Sequence, residues 1–138
     1  MTQVLIFSIA LCADTEATLP SLDGTWTIVA TEMDGKRVDA FVGRQIEIAK
    51  DKLLFHYSNS RTTERRLRIN TQARPIHFDE LPQVNDGTWG LGIAKFEKGM
   101  LVVCKADTGG TRPDAFGTKS GDDRLMFWLQ RHETDAPK

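Results

Sequence analysis

The side chains in this sequence with the means to do acid–base or metal chemistry are His56, His77, Asp79, Glu80 and His132. His77 and Asp79 stand two apart in a run that reads as a strand, so both leave the same face, as a pair of metal ligands would. Two ligands do not complete a site. Ile76 and Phe78 take the opposite, inward sense, which turns His77 and Asp79 toward solvent. His132 falls beyond the last strand, beside Glu133 and Asp135, in what reads as a frayed tail. Ser58, Ser60 and Ser120 sit by turns without the Gly-x-Ser-x-Gly elbow that presents a nucleophile. Cys104 closes the apolar run Leu101-Val102-Val103-Cys104 and reads as a buried, inert thiol. Arg112 is held extended by Pro113 after a Gly-Gly turn. It is a rim cation for an anionic head group or a partner of loop carbonyls. With no catalytic constellation, metal spacing or phosphate loop, the chemistry to expect is binding without a cofactor.

A chain of 138 residues supports one core. Charged residues are 27% and apolar residues 40%, the balance of a soluble globular domain. The net charge of −1 speaks against a nucleic-acid partner, which calls for a basic face. The local excess Arg61, Arg65, Arg66, Arg68 and Arg74 is diluted by Glu64, Asp79 and Glu80 and reads as the wet side of a strand pair. Residues 4–12 (VLIFSIALC) carry no charge, are too short to span a bilayer, and meet the polar Asp14, Thr15 and Glu16. They outline a secretory leader over 1–13 and hence an exported protein, periplasmic or extracellular, without a stable membrane span. Against this, Met1-Thr2-Gln3 offers no Lys or Arg, and a first core strand is the alternative. Leu11 before Cys12 is too large for the cleavage that precedes lipid attachment, so anchoring at Cys12 is not expected. Once the leader is removed, Cys104 stands alone and stability must come from packing.

After a polar lead-in over 14–21, the domain runs over 22–133, with a tail over 134–138. Short β-rich runs follow one another at 25–33, 44–49, 52–58, 63–70, 75–78, 89–96, 100–105, 115–118 and 124–131, with one helical turn at 38–42. Asp34-Gly35, Asp51, Asp86-Gly87, Lys98-Gly99, Gly109-Gly110 and Gly121-Asp122 supply the reversals. Such short links force antiparallel neighbours, since a parallel pair needs a crossover of a dozen or more residues. The chain is therefore expected to be all-β, an up-and-down antiparallel barrel of about eight strands or a sandwich. Alternation gives inner and outer sets: Trp26, Ile28 and Ala30 against Thr25, Thr27 and Thr31; Ile46 and Ile48 against Gln45 and Glu47; Leu53, Phe55 and Tyr57 against Leu54 and His56; Leu67 and Ile69 against Arg66 and Arg68. It fails at residues 100–103 and 125–129 (LMFWL), apolar on both faces. Something must cover Met126 and Trp128, either the N-terminal segment or a second copy of the chain in a homodimer.

Two groups of residues resemble known families. Gly24-x-Trp26 on the first strand with Arg131 on the last resembles the lipocalin closure, in which an arginine lies over a tryptophan at one end of the barrel. Leu22-Asp23-Gly24-Thr25-Trp26, Asp34-Gly35-Lys36, Leu91-Gly92-Ile93, Leu101-Val102-Val103-Cys104, Arg112-Pro113-x-x-Phe116 and Gly121 together resemble a lipocalin-like domain family of undetermined role, abundant in planctomycete bacteria. The resemblance spans 22–131 and implies a lipocalin-like barrel, exported or attached to larger proteins. The chain departs from that pattern at Glu97-Lys98-Gly99 and at Lys105, which leaves the register of the hairpin there open. Asp-Gly-Thr-Trp recurs at Asp23 and Asp86 without matching surroundings, as a common hairpin exit does.

These readings converge on a non-enzymatic binding module of the bacterial cell envelope. A small apolar or amphipathic ligand would lie inside the barrel, lined by Trp26, Ile28, Ile46, Phe55, Tyr57, Leu67, Ile69, Phe78 and Phe116, with Arg112 near the rim. The same residues would serve as core, so the alternative is a side-chain-filled barrel acting as a structural or protein-interaction domain through its apolar outer face.

Overall fold

The computed structural model describes residues 21–58, 60–82 and 87–132. The expected leader, residues 14–20 of the lead-in and the 134–138 tail lie outside the described residues. Nine strands are described: β1 (Gly24–Met33), β2 (Lys36–Arg37), β3 (Gln45–Ala49), β4 (Lys52–Ser58), β5 (Arg61–Asn70), β6 (Ile76–Pro82), β7 (Gly92–Glu97), β8 (Met100–Ala106) and β9 (Arg124–Arg131). All pairings are antiparallel, the order is sequential from β3 to β9, and β9 returns to β1. The sheet is thus a closed eight-stranded up-and-down barrel with β2 as a short extra strand, consistent with the lipocalin-like architecture expected.

The closing seam joins Trp26 opposite Arg131 to Met33 opposite Leu125. Along its other edge β1 serves two neighbours. Residues 24–27 pair with β3, while Glu32 and Met33 pair with β2. Between them Ile28 exchanges backbone hydrogen bonds with Gly43 and Arg44. The expected helical turn at 38–42 is not a helix. The link makes two tight turns, in which Val42 N–H donates to Asp39 and Arg44 N–H to Phe41, and its backbone serves the β1 edge instead.

Closure separates inner and outer faces largely as the alternation predicts. Trp26, Ile28, Ile46, Ile48, Leu53, Phe55, Leu67, Ile76, Phe78, Leu101, Val103, Phe127 and Leu129 form one buried cluster, with Tyr57 and Ile69 half-buried against it. A bulge in β1 between Ile28 and Ala30 corrects the pattern there. It sets Ala30 opposite outward Trp128 and Thr31, fully buried, opposite inward Phe127. One extra residue inverts every later side chain, and uninterrupted alternation does not reveal it.

The hairpin at Glu97–Gly99 is also settled. Lys98 and Gly99 both take positive φ, 52° and 80°, between the paired Glu97 and Met100. That two-residue geometry matches the twist of the flanking strands, and lysine fills the position usual for aspartate. The run at 115–118, expected as a strand, is not one; residues 107–123 form a long strap over the outer face. Between β6 and β7 the ladder is short, Ile76 opposite Ala94 and His77 opposite Ile93, followed by an isolated bridge from Glu80 to Gly90. In the gap lies Gly92, where an added Cβ would stand 2.5 Å from the Phe78 carbonyl oxygen and 3.1 Å from that of Cys104.

Both neighbours of that Cβ are backbone atoms of strands and cannot swing aside. Gly92→Ala is therefore expected to cost about 1–3 kcal/mol in urea denaturation. Gly117→Ala, which meets nothing within 4 Å, should stay within roughly 0.5 kcal/mol of the parent. Equal stability of the two variants would refute the close approach.

Candidate functional site

The barrel has one closed and one open end. At the closed end Trp26 is 1% exposed and donates its indole N–H to the Leu22 carbonyl at 2.9 Å. The Arg131 guanidinium lies 4.2 Å from the ring centre and donates to the carbonyls of Asp23 and Ser21, each at 2.6 Å. Gly24, at φ 133°, turns the chain into β1 at this point. Gly24, Trp26 and Arg131 thus meet where the β1–β9 pairing begins.

The interior between the ends is filled. Phe41, from the link after β2, packs edge-on against Phe55 at 5.8 Å and Phe127 at 6.2 Å, and Phe55 stacks against Tyr57 at 4.5 Å. The space left among Ile46, Phe55, Phe78 and Leu129 is about 10 Å³, room for one water and not for an organic ligand. Trp26, Ile28, Phe55, Leu67 and Phe78, expected to line a cavity, are packed core, and Tyr57 is half-buried against them. Phe116 is not in the barrel at all. It belongs to the strap and packs outside, on a second cluster of Ile93, Val102, Cys104 and Met126.

Above the filled interior the open end widens into a cleft of about 340 Å³. Its walls include Met33, Pro82, Ala106 and Leu125, and its charged groups are Asp34, Arg65, Glu80, Lys105, Asp107, Asp123 and Arg124. Three of these belong by strand parity to the inner face: Arg65 two before Leu67, Glu80 two after Phe78, and Lys105 two after Val103. The Glu80 side chain is 7% exposed; it receives an ion-paired hydrogen bond from Lys105 Nζ and lies 3.8 Å from Arg65. The Lys105 ammonium also stands 5.4 Å from the Phe127 ring centre. A carboxylate at this depth is stable only when paired, and here two cations bracket it. None of the three was singled out as an inner residue by the apolar pattern, although continuing each strand's alternation by one step reaches all of them.

On the outer face, Arg112 makes a second buried network. Its guanidinium grips Asp79 through Nη1 to Oδ1 at 2.6 Å and Nη2 to Oδ2 at 3.1 Å, and Nη1 donates to the Gly92 carbonyl at 2.8 Å. Asp79 Oδ1 in turn accepts from the Gly92 N–H at 3.2 Å, and Oδ2 accepts from Arg68, which stacks 4.1 Å from the Trp89 ring centre. Carboxylate and guanidinium thus supply Gly92 with the partners that the interrupted ladder does not. Burial by itself raises the Asp79 pKa; hydrogen bonds from Arg112, Gly92 and Arg68 overcome it and hold the carboxyl below its ordinary value. Asp79 is therefore buried and ionised, not solvent-facing, because the strap closes over it. Arg112 is not a rim residue of the barrel; it is the strap's anchor.

The strap also explains why β7, β8 and β9 are apolar on both faces. From Arg112 it runs through buried Pro113 to Phe116, over which Lys95 sits at 4.5 Å. Thr118 then donates its N–H and hydroxyl to Glu32 at 3.2 and 2.7 Å and accepts from the Gly35 N–H at 2.9 Å. Met126 is 6% exposed beneath this cover, and Trp128 is half-buried under Arg37 at 4.5 Å. Part of the cover that these residues call for thus comes from the strap and from Arg37, while the N-terminal segment lies outside the described residues. Cys104 donates to the Gly117 carbonyl at 3.6 Å, and burial pushes its thiol pKa up, the state of an inert packing group.

His56 and His77 stand apart on different strands, His56 hydrogen-bonded to Thr62 at 2.9 Å. Among the described residues no group of three or more His, Cys, Asp or Glu is placed to hold a metal ion, and no helix is long and apolar enough to cross a membrane. Comparison of the chain with protein-family models, with curated proteins and with solved structures returns no match.

Removing Arg112 alone leaves the buried Asp79 charge with the half-exposed Arg68 as its remaining ionic partner. Arg112→Met is expected to destabilise by roughly 3 kcal/mol at pH 7, whereas Asp79→Leu combined with Arg112→Met recovers only part of that loss, because the buried charge is gone but the Gly92 N–H and carbonyl are left without partners. The sign with pH follows from a folded pKa lower than the unfolded one. The parent has the full Asp79 contribution above the unfolded carboxyl value of about 3.9 and loses it as pH falls through the folded pKa. The double variant lacks this part of the slope. Urea titrations of the parent and both variants at neutral and acid pH measure it, and identical slopes would refute the assignment.

Proposed function

We propose that the protein is a non-enzymatic binding module of the bacterial cell envelope that takes a small amphipathic molecule at the open mouth of its barrel. The observation that carries this reading is the contrast between the two spaces: an interior of about 10 Å³ under a mouth cleft of about 340 Å³. The larger volume is that of a small-ligand site, and its mixture of Met33, Pro82 and Leu125 with a few fixed charged groups is the usual make-up of one. Binding rather than catalysis is favoured because the buried titratable groups at the floor are paired with one another. Placement in the envelope rests on the apolar leader and on the resemblance to an exported lipocalin-like family.

A second reading, a structural or protein-interaction domain, is favoured by the filled interior. The apolar outer face that would carry such a role is occupied by the strap. The strap likewise covers Met126, on which a homodimer through Met126 and Trp128 would depend.

The test is a titration of the full, isotope-labelled chain with a fragment set of amphipathic molecules, followed by amide chemical shifts. Saturable shifts should gather on Met33, Lys105, Ala106, Thr108 and Leu125. Thr108→Trp, at an exposed rim position, should abolish them without lowering the melting temperature. Shifts gathered on Ile93 and Phe116 instead, or none at all, would favour the interaction reading.

A further inference from the structure

The charged groups of the mouth are not mixed at random in depth. At the floor two cations, Arg65 and Lys105, stand against the single carboxylate of Glu80, an excess of one positive charge in a poorly hydrated place. The Lys105 and Arg65 side chains are 18% and 28% exposed, so both keep a face toward the cleft. At the rim the sign reverses: Asp34, Asp107 and Asp123 stand against Arg124. Asp107 and Asp123 are exposed and joined through a backbone hydrogen bond from Asp107 N–H to the Asp123 carbonyl at 3.1 Å. That bond fixes the spacing of two acidic residues that line the cleft.

A cavity that is positive below and negative above repels a plain fatty acid at its entrance and a plain amine at its floor. It complements a molecule carrying both charges. Resting on the mouth-cleft reading above, we infer that the site takes a small zwitterion, its anionic group on Arg65 and Lys105 and its cationic group among the carboxylates of Asp107 and Asp123. Met33 and Leu125 meet the apolar spacer between the charges. Free amino acids, short peptides and betaine-like solutes share this chemistry.

Three probes of equal chain length separate the contributions: 6-aminohexanoate with both charges, hexanoate with the anion alone, and hexylamine with the cation alone. Each is titrated into the full chain at neutral pH, read by amide shifts of Lys105, Thr108 and Leu125. The zwitterion is expected to bind at least about tenfold more tightly than either half, close to 1.4 kcal/mol. Asp107→Asn with Asp123→Asn should bring 6-aminohexanoate down to the level of hexanoate while leaving hexanoate no weaker. Asparagine tolerates the positive φ of 56° at position 123, so the loop should be kept. Arg65→Gln should weaken both carboxylate probes. Hexanoate binding as tightly as 6-aminohexanoate would overturn the inference while the binding-module reading stands. No binding by any of the three, with the fragment titration still positive at the mouth, would overturn it in the same way.

Discussion

The structure depends on the antiparallel seam between β1 and β9. A sheet of eight short strands with free ends exposes two rows of unpaired backbone groups and has no defined inside. Pairing Trp26 through Met33 with Arg131 back to Leu125 satisfies those rows and makes the inner face a closed volume. The Arg131 guanidinium, stacked on an indole and bonded to two carbonyls ahead of β1, ties both chain ends of the domain to one point. The contact is one of position as much as energy: it sets the register from which every other inward residue is counted.

Closure alone does not decide between a vessel and a solid. An eight-stranded barrel has just the girth at which side chains can meet across it. Here the aromatic rings of Phe41, Phe55 and Phe127 meet in edge-to-face contact and occupy the axis. Phe41 comes from a link rather than a strand, so the sheet supplies the walls and a turn supplies the plug. The same division holds outside, where the strap of residues 107–123 covers an apolar patch that the sheet leaves bare. Two irregular segments thereby finish two faces of one regular sheet, and the mouth is the concavity that neither of them fills.

Much of this was legible in the residues. Strand positions, turn sites and the Trp26–Arg131 closure follow from alternation, glycine and aspartate placement, and the adjacency of first and last strands in a closed sheet. The double apolar character of β8 and β9 announced a cover but not its source, because Arg112-Pro113-x-x-Phe116 has the extended look of a strand. Only the approach of Asp79, thirty-three residues away in the chain, shows that its role is to clamp. The bulge at Val29 leaves no mark in the alternation, so the inner set was misread from Ala30 onward. Arg65, Glu80 and Lys105 were hidden for another reason. Each sits at the end of an apolar alternation, where the usual reading stops at the last hydrophobic residue; Arg65 and Glu80 then meet diagonally across β5 and β6, and Lys105 reaches them from β8, a meeting that no local pattern carries.

The two buried ion networks differ in what they do for the fold, and that difference bears on function. Asp79 and Arg112 complete a broken ladder: without them the N–H and carbonyl of Gly92 would be buried without partners, so the pair has a structural reason to exist. Glu80, Lys105 and Arg65 complete nothing of the kind. Among the described residues their side chains pair with one another, on a face where leucine or phenylalanine would continue the core, and an apolar replacement of similar volume commonly costs no stability. Charges kept in such a place, at the floor of the wide end of an otherwise dry barrel, have no packing role of that kind, and it is this that supports the proposed site at the mouth over the filled interior.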